Sequence, residues 1–365
     1  MTELKRPTLL LNKEICLRNI RNMKAKADKH GLIFRPHFKT HQSAEIGEWF
    51  RDEGVDRIAV SSVSMARYFA AHGWKDITIA FPLNIAETPE INELAATVNL
   101  NLVIENMESM KALARTQKHL LGVFIKLDAG YHRTGIPVED HERIKILVHE
   151  IGHARHLTFE GFLVHNGHTY HQPGPDDILE IHRQSREKLA ALKQKLFQHD
   201  IKSFVSLGDT PAVSLAGSFE EISEIRPGNF VFYDVMQHNL GVCTENDIAV
   251  AVACPVVSKH PDRMEIVLYG GAVHLSKDFI KDRNGHTSFG LVAPLNENGW
   301  EAVWPDTYVK SLSQEHGIIK TIPGIMRRVE IGDFVAVLPV HSCLTTNLMR
   351  EMYTLEGERI TTMLT

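Results

Sequence analysis

The chain has 365 residues, of which 43% are hydrophobic and 23% are charged, an ordinary composition for a globular protein. Its formal net charge of -5 argues against nucleic-acid binding, because neutralising phosphates requires a basic surface. The first residues lack the apolar core of a signal peptide, and no apolar run reaches the roughly 18 residues of a transmembrane helix, so we expect no membrane association.

Short apolar runs alternate with amphipathic helical stretches from about residue 32 to residue 234. Eight candidate strands occur there: LIFRPH, RIAVSS, DITIAF, LNLVIE, GVFIKL, FEGFLVH, FVSLG and IRPGNFVFY. Alternating strands and helices indicate a parallel sheet with right-handed crossovers. Eight units in about 200 residues predict an α/β fold of the (β/α)8 TIM-barrel type. A doubly wound open sheet is the alternative that the spacing leaves open.

The sequence pattern changes after Asp234. The segments DIAVAVACPVVSK, RMEIVLYGG, EAVWPDTYVKSLS and DFVAVLPVHSCL are β-rich and are separated by Gly, Pro and polar turns. We therefore predict a barrel domain over residues 1–240 and a β-domain over residues 241–365. An early strand at about residues 7–12 is expected to join the β-domain.

Four basic residues stand at alternate positions where the first barrel strand ends: Arg35, His37, Lys39 and His41. Side chains two apart on a strand share a face, so the four are expected to point the same way. For a lone lysine at a barrel mouth, a salt bridge is the commoner role. Cationic neighbours and partial burial favour the neutral amine, however, which is the form that a Schiff-base lysine requires. Lys39 is therefore a candidate for covalent catalysis.

Other predicted strands also end in polar and glycine-rich segments. These supply Lys126, Asp128, His132 and Arg133 after the fifth strand, His165, His168 and Tyr170 after the sixth, Gly208, Asp209 and Thr210 after the seventh, and Arg226, Gly228 and Asn229 at the eighth. Small residues and backbone amides after strands seven and eight are where such barrels hold a phosphate. Each motif is weak alone, but four on successive strands predict a phosphorylated cofactor.

The segments RPHFKTH, KLDAGYHRTGI and IRPGNF resemble the alanine-racemase-like superfamily of pyridoxal-phosphate enzymes, and within it the D-serine dehydratase and D-threonine aldolase group. The resemblance implies that Lys39 binds pyridoxal 5'-phosphate covalently, and it implies a homodimer. The cofactor contacts that it implies are Arg133 near the phenolic oxygen, His165 beside the ring, Tyr170, a phosphate turn of Gly208, Asp209, Thr210, Gly228 and Asn229, and Arg226 facing the pyridine nitrogen. Asp209 puts an acid into this turn, so its carboxylate must point away or be paired. Tyr269 and His274 stand where many relatives carry Asp and Lys.

His341 and Cys343 lie two apart on a predicted strand, so both side chains are expected to face one way. Imidazole and thiolate together suit zinc, although such a pair alone is more often a buried thiol beside a solvated histidine. The resemblance implies that the pair binds Zn²⁺, with Mn²⁺ or another divalent ion as the alternative. The four cysteines include no CxxC pair, so we predict a reducing, cytoplasmic location.

The resemblance implies a lyase that removes water from a small β-hydroxy D-amino acid and yields an α-keto acid and ammonia. Lys39 would remove the α-proton, and the metal would activate the β-hydroxyl. Three alternatives stay open: D-threonine aldolase-type cleavage, an amino-acid racemase, and a non-catalytic cofactor carrier. The racemase requires a second base and no metal, whereas the aldolase would favour an acid at position 343.

Overall fold

The computed structural model describes residues 4–201, 203–281 and 285–363. The chain forms two compact units. The barrel unit comprises Asn22–Lys39 and Phe50–Gly228, and the β unit comprises Met1–Arg21, Thr40–Trp49 and Asn229–Leu364. The predicted division into a barrel domain (1–240) and a β-domain (241–365) stays a prediction. The boundary between the two compact units lies between Gly228 and Asn229, and residues 40–49 belong to the β unit.

Helices and strands alternate through the first two thirds of the chain. The strands are β1 (Thr8–Leu11), β2 (Ile33–Phe34), β3 (Arg57–Val60), β4 (Asp76–Pro82), β5 (Asn99–Ile104), β6 (Leu121–Asp128), β7 (Ile136–Pro137), β8 (Leu157–His165), β9 (Val205–Gly208) and β10 (Glu224–Ile225). The helices are α1 (Lys13–Lys29), α2 (Ala44–Asp52), α3 (Val63–Ala71), α4 (Thr88–Ala95), α5 (Met107–Thr116), α6 (His141–His153), α7 (Pro175–Phe197) and α8 (Thr210–Leu215).

The barrel unit contains a parallel sheet in the order β2-β10-β9-β8-β6-β5-β4-β3, with β7 added beside β6. A parallel bridge between His37 and Ala59 joins the continuation of β2 to β3. Hydrogen bonds from Phe38 N–H to Ala59 O (2.9 Å) and from Ala59 N–H to Pro36 O (3.0 Å) complete this junction. The predicted (β/α)8 barrel is therefore confirmed, and the doubly wound alternative is not observed.

Local sequence accounts for the regular alternation. Strands such as β6 are apolar and buried on both faces, as expected for parallel strands covered by helices. Helices start at side-chain caps: Ser62 accepts the Met65 N–H before α3, and Asn106 accepts the Ser109 N–H before α5. The functional side chains consequently stand on short segments at the ends of rigid strands.

The β unit is mainly antiparallel. Its remaining elements are α9 (Val235–Asn239), β11 (Val250–His260), β12 (Glu265–Tyr269), α10 (Ala272–Leu275), β13 (Ile280–Lys281), β14 (Thr287–Ser288), β15 (Gly290–Asn296), β16 (Gly299–Trp300), β17 (Tyr308–Leu312), β18 (His316–Lys320), α11 (Pro323–Arg328), β19 (Phe334–Pro339), α12 (Ser342–Met349), β20 (Glu351–Thr354) and β21 (Arg359–Thr361). Strands β12, β18, β17, β15, β19 and β11 pair in that order, and β12 also pairs with β11, which closes an antiparallel barrel. The early strand β1 pairs with β11 and β20, so its predicted place in the β-domain is confirmed.

Three strand predictions need correction. The first barrel strand ends at Phe34, and the eighth is only Glu224–Ile225, followed at Asn229–Val231 by a short 3-10 helix. In the β unit, β19 ends at Pro339 and helix α12 begins at Ser342, so His341 and Cys343 do not lie on a strand.

In the described part of the chain, no helix combines the length and apolarity required to cross a bilayer.

Candidate active site

Lys39 lies in the turn that follows β2 and is exposed. Its backbone N–H donates to His37 Nδ1 at 3.3 Å, which holds the turn in place. The predicted partial burial of this amine is therefore wrong for the chain as described. Its position, at the carboxyl end of the first barrel strand, is the one that the sequence predicted and the one where barrel enzymes place catalytic groups.

The four alternating basic residues do not share one face. Arg35 is buried and pairs with Glu224 Oε2 (2.8 Å) and Asp76 Oδ1 (2.5 Å). His41, in the β unit, is fully buried, and burial lowers its pKa to about 3. A neutral His41 contributes no positive charge, so the predicted cationic neighbourhood of the lysine loses one of its members. The alternation fails because the chain turns after β2 instead of continuing as a strand.

The segment after β6 is organised by Asp128. Its Oδ1 accepts the N–H groups of Gly130 (2.9 Å), Tyr131 (2.9 Å) and His132 (3.0 Å). Although burial would raise the pKa of this carboxyl, these hydrogen bonds and the His132 ring hold it below its usual value. The segment ends at Arg133, whose guanidinium carbon stands 5.0 Å from the Tyr131 ring centroid. Asp128 therefore fixes the backbone that presents Arg133.

His165 ends β8 and is held as a neutral imidazole. Its Nδ1 donates to Gly208 O, because a carbonyl can only accept. Burial lowers the pKa of His165 well below its usual value, and the charges of Lys126, Lys39 and Arg133 lower it further. All three cations must lie near His165 to act on it. The barrel unit thus gathers the predicted lysine, arginine and histidine in one region.

A buried lysine, Lys126, lies in the same region. Lys126 is only 6% exposed and donates from Nζ to Leu127 O at 3.1 Å. Burial, followed by the charges of Arg226 and Arg133, lowers its pKa to about 7.

The turn after β9 has the features of an oxyanion cradle. Thr210 Oγ1 is buried, and no described residue forms a hydrogen bond with it. The Thr210 N–H donates to Tyr170 Oη at 3.3 Å, so Tyr170 lies against the turn. An unsatisfied buried hydroxyl is costly, and a bound phosphate oxygen would satisfy it.

The side chain of Asp209 is the N-cap of helix α8. It caps α8 by accepting the Ala212 N–H (2.7 Å), and the Thr169 hydroxyl lies 3.4 Å away. Burial raises its pKa to about 7. Only Oδ1 of this carboxylate serves the helix cap; its Oδ2 is buried and has no hydrogen-bond partner among the described residues.

Arg226 is held inside the barrel by residues that the sequence analysis missed. Its Nη1 donates to Ser206 Oγ and its Nη2 to Val164 O (3.0 Å), while Ser206 Oγ donates to Glu224 Oε1. Burial lowers the pKa of Arg226 to about 10. Because Glu224 also pairs with Arg35, one buried network holds both arginines. The signal for it was the Glu-Ile-Arg spacing, which puts Glu224 and Arg226 on one face of the chain.

His341 and Cys343 lie at the start of α12 in the β unit. His341 is the residue before the helix, and its Nδ1 contacts Asp278 Oδ2 at 2.6 Å. Cys343 Sγ lies 3.2 Å from Thr40 Oγ1 and accepts a long contact from Asn229 Nδ2 (3.8 Å). Burial alone would lower the pKa of His341, but Asp278 and then Cys343 raise it to about 11.

Asp234 and Asn229 form hydrogen bonds with the first turn of α12. Asp234 is buried, and its Oδ2 accepts the Ser342 N–H (3.0 Å) and Asn229 Nδ2 (2.6 Å). Burial raises the pKa of Asp234. Asn229, predicted to hold phosphate, belongs to the β unit with its amide against this turn, and its Oδ1 has no partner among the described residues.

His341 and Cys343 together offer only two metal donors, an imidazole nitrogen and a soft thiolate sulfur. Across residues 4–201, 203–281 and 285–363, no group of three or more His, Cys, Asp or Glu side chains is arranged to hold a metal ion. A carboxylate on one ring nitrogen of a histidine is the usual support for a metal ligand, because it fixes the tautomer and leaves the other nitrogen as donor. Asp278, which the sequence analysis did not assign, has this position beside His341.

Comparisons with known proteins agree with this arrangement. The alanine racemase N-terminal domain family matches residues 12–235, and a serine dehydratase domain family matches residues 249–355. The chain is 28% identical to D-serine dehydratase from Dictyostelium discoideum, over 98% of this chain and 95% of that protein.

Solved structures show the same fold over the whole chain. The D-threo-3-hydroxyaspartate dehydratase from Delftia sp. HT23 superposes with a TM-score of 0.92 at 25% identity, covering 100% of this chain and 98% of that one. A cysteine-to-alanine variant of a D-threo-3-hydroxyaspartate dehydratase, described in a metal-free form, superposes equally well at 24% identity, covering 100% of this chain and 98% of that one. The chain therefore belongs to the alanine racemase N-terminal domain family, a family of pyridoxal-phosphate enzymes.

Proposed function

We propose that the protein is a pyridoxal-phosphate-dependent and zinc-dependent lyase that eliminates water from a β-hydroxy D-amino acid. The products are an α-keto acid and ammonia, and D-serine would give pyruvate. The observation that carries the proposal is the His341–Cys343 pair with its Asp278 support, in a chain that matches D-serine dehydratase over nearly its full length.

The barrel unit fits the proposed cofactor. Thr210 Oγ1 is a buried hydroxyl in need of a partner, and an oxygen of the phosphate would supply one. Arg133 and the neutral His165 would contact the phenolic oxygen and the ring, and Lys39 would form the covalent link. The positive character of this region suits an anionic cofactor.

The β unit fits the proposed metal. Cys343 offers a thiolate, and His341 offers Nε2 because Asp278 occupies Nδ1. Sulfur and imidazole donors favour zinc over the harder manganese and magnesium ions. Two protein ligands leave positions for solvent and substrate, as in catalytic sites, whereas structural zinc is normally closed by four protein ligands. The metal-free cysteine variant of the related dehydratase is consistent with a role for a cysteine in metal binding.

In the proposed reaction, the cofactor and the metal would each supply one part of the chemistry, and side chains of the protein would supply the rest. The cofactor would delocalise charge from the α-carbon, and the metal would polarise the β-hydroxyl. Lys39 would take the α-proton from one face of the substrate, and Arg133 would keep its positive charge beside the phenolic oxygen. His165, neutral and fixed by Gly208, would pack beside the ring without donating a second proton.

The proposal also covers substrate range, location and assembly. D-serine, D-threonine and D-threo-3-hydroxyaspartate all carry the required hydroxyl, and the relatives named above act on the first and the last of these. A reducing cytoplasm is supported by the four cysteines, none of which is joined in a disulfide. The homodimer is supported by the resemblance to alanine-racemase-like enzymes.

One assay tests the proposal against its alternatives. Purified protein with pyridoxal phosphate and zinc is incubated with each of the three D-amino acids and with L-serine, and products are identified by chromatography. Keto acid and ammonia from the D-enantiomers support the lyase. Glycine with an aldehyde identifies an aldolase, appearance of the opposite enantiomer identifies a racemase, and unchanged amino acids with bound cofactor identify a carrier; each of these three results overturns the proposal.

A further inference from the structure

We infer that Tyr131 is a positioning residue whose ring holds Arg133 and His165 in place. The inference rests on the proposed function, which assigns both of these side chains to the cofactor. Tyr131 itself has no role in the reaction as proposed.

The backbone of Tyr131 is fixed before its ring makes any contact. The Tyr131 N–H donates to Asp128 Oδ1, as do the N–H groups of Gly130 and His132. His132 adopts a positive φ of 57°, a conformation that few non-glycine residues take and that its contact with Asp128 stabilises. The direction in which the Tyr131 ring projects is therefore set by a hydrogen-bonded turn of the backbone.

The ring of Tyr131 fits a slot that only glycine leaves open. A Cβ added to Gly167 would lie 2.3 Å from Cε1 of this ring, far inside van der Waals contact. The His168 ring stacks on Tyr131 at 5.9 Å between centroids and 17° between planes. Gly167 and His168 thus define the position of the tyrosine ring from the neighbouring segment after β8.

Two proposed cofactor contacts rest on this ring. The Arg133 guanidinium carbon stands 5.0 Å from the ring centroid, within the range of a cation–π contact. The His165 ring meets Tyr131 edge to face, with centroids 6.0 Å apart and planes at 75°. One aromatic ring therefore contacts both side chains.

An aromatic support has a chemical advantage over an acidic one here. A carboxylate beside Arg133 would hold the guanidinium but would also neutralise its charge. The face of a ring attracts the cation through its quadrupole and leaves the net charge of the arginine intact. Arg133 can then direct a full positive charge towards the phenolic oxygen of the cofactor. Tyr131 orients the arginine without weakening it.

The test compares Tyr131→Phe, Tyr131→Leu and Gly167→Ala with the wild-type protein. Cofactor is removed, and the dissociation constant for added pyridoxal phosphate is measured for each protein. The pH midpoint at which the visible band of the bound cofactor titrates is then recorded. This midpoint reports the charge near the phenolic oxygen and would not respond to a purely structural defect.

We expect Tyr131→Phe to behave like wild type, because the ring face is retained. Tyr131→Leu should weaken cofactor binding by about threefold to tenfold and raise the midpoint, since a less well-placed Arg133 stabilises the phenolate less. Gly167→Ala should have a similar effect, because it displaces the ring from the other side. In the Tyr131→Leu background the added Gly167→Ala change should have little further effect, since the obstructed ring is gone.

Several results would overturn the inference. It is wrong if Tyr131→Leu leaves both the dissociation constant and the midpoint unchanged, or if Tyr131→Phe is impaired as strongly as Tyr131→Leu. It is also wrong if the effects of Tyr131→Leu and Gly167→Ala simply add. A wild-type protein that binds no pyridoxal phosphate would overturn the proposed function and the inference with it, a result that is distinct from the three above.

Discussion

Asp209 is a buried acid whose removal should stabilise the protein at neutral and alkaline pH. Burial raises its pKa from an ordinary 3.8 to about 7, and the Ala212 N–H, the Thr169 hydroxyl and the charge of Arg226 only partly compensate. The folded state therefore binds the proton more tightly than the unfolded state. The contribution of Asp209 to the free energy of unfolding should be most favourable below about pH 4, decline from about pH 4 to about pH 7 and then level off. Three pKa units correspond to about 4 kcal/mol, which is an upper bound.

Asp209→Asn removes this ionisation but keeps a side chain that caps helices well. We expect the cofactor-free variant to be more stable than the wild type at pH 8, by up to about 4 kcal/mol, and to match it near pH 4. Urea unfolding at a series of pH values measures the difference. Asp140→Asn is the matched control: Asp140 is an exposed cap that accepts the Arg143 N–H, so its variant should differ by less than about 1 kcal/mol at every pH. A loss of stability at pH 8 in Asp209→Asn would show that the ionised carboxylate stabilises the fold and would refute the reasoning.

Three further predictions concern the reaction. Lys39→Ala should lose the visible band of the bound cofactor, and peptide mapping after borohydride reduction of the wild type should find the pyridoxyl group on Lys39; recovery of the label on another lysine would contradict the assignment. Exchange of the α-proton with deuterated solvent should occur for D-serine only, because the lysine reaches one face of the substrate, and comparable exchange of L-serine would favour a racemase. Cys343→Ala should lower the dehydration rate by roughly a thousandfold, as metal chelation should, since Lewis-acid activation contributes several kcal/mol. Cys343→Asp should bind zinc less tightly and tolerate manganese better, whereas full activity of Cys343→Ala in the presence of chelator would remove the metal from the proposal.

Much of the fold followed from local patterns. The barrel strands were predictable because a parallel strand buried on both faces is an apolar run, and the ends of those runs marked the catalytic edge. The pattern could not show where a strand stops. The first strand ends at Phe34, and the residues after it turn, although their alternation continues to look like a strand. His341 and Cys343 were misplaced for the same reason, because the apolar run through β19 gave no sign that a helix begins at Ser342.

The supporting residues were harder to predict because they act over long separations in the chain. Glu224 and Arg35 are 189 positions apart, and Asp278 and His341 are 63 apart. Nothing in the local sequence of either partner indicates such a contact. The role of Glu224 could have been predicted, since Glu224 stands two residues before Arg226, but the role of Asp278 could not. Side chains that would touch cofactor or metal sit in recognisable motifs, whereas those that hold them in place depend on tertiary contacts.

The charges of the two candidate sites explain why each suits a different ligand. In the barrel unit, the positive charges of Lys126, Lys39 and Arg133 act on a neutral histidine and lower its pKa, so an anion is attracted there and a divalent cation is repelled. At the start of α12, Asp278 and Cys343 enclose His341 and raise its pKa to about 11, so in the absence of a metal this site retains a proton. His341 Nε2 and the Cys343 thiolate would hold a zinc ion only after they lose their protons, because metal binding requires deprotonated ligands. Metal affinity should therefore rise steeply with pH at this site, while the attraction of the barrel unit for an anionic cofactor should weaken as Lys126, whose pKa is lowered to about 7, loses its proton.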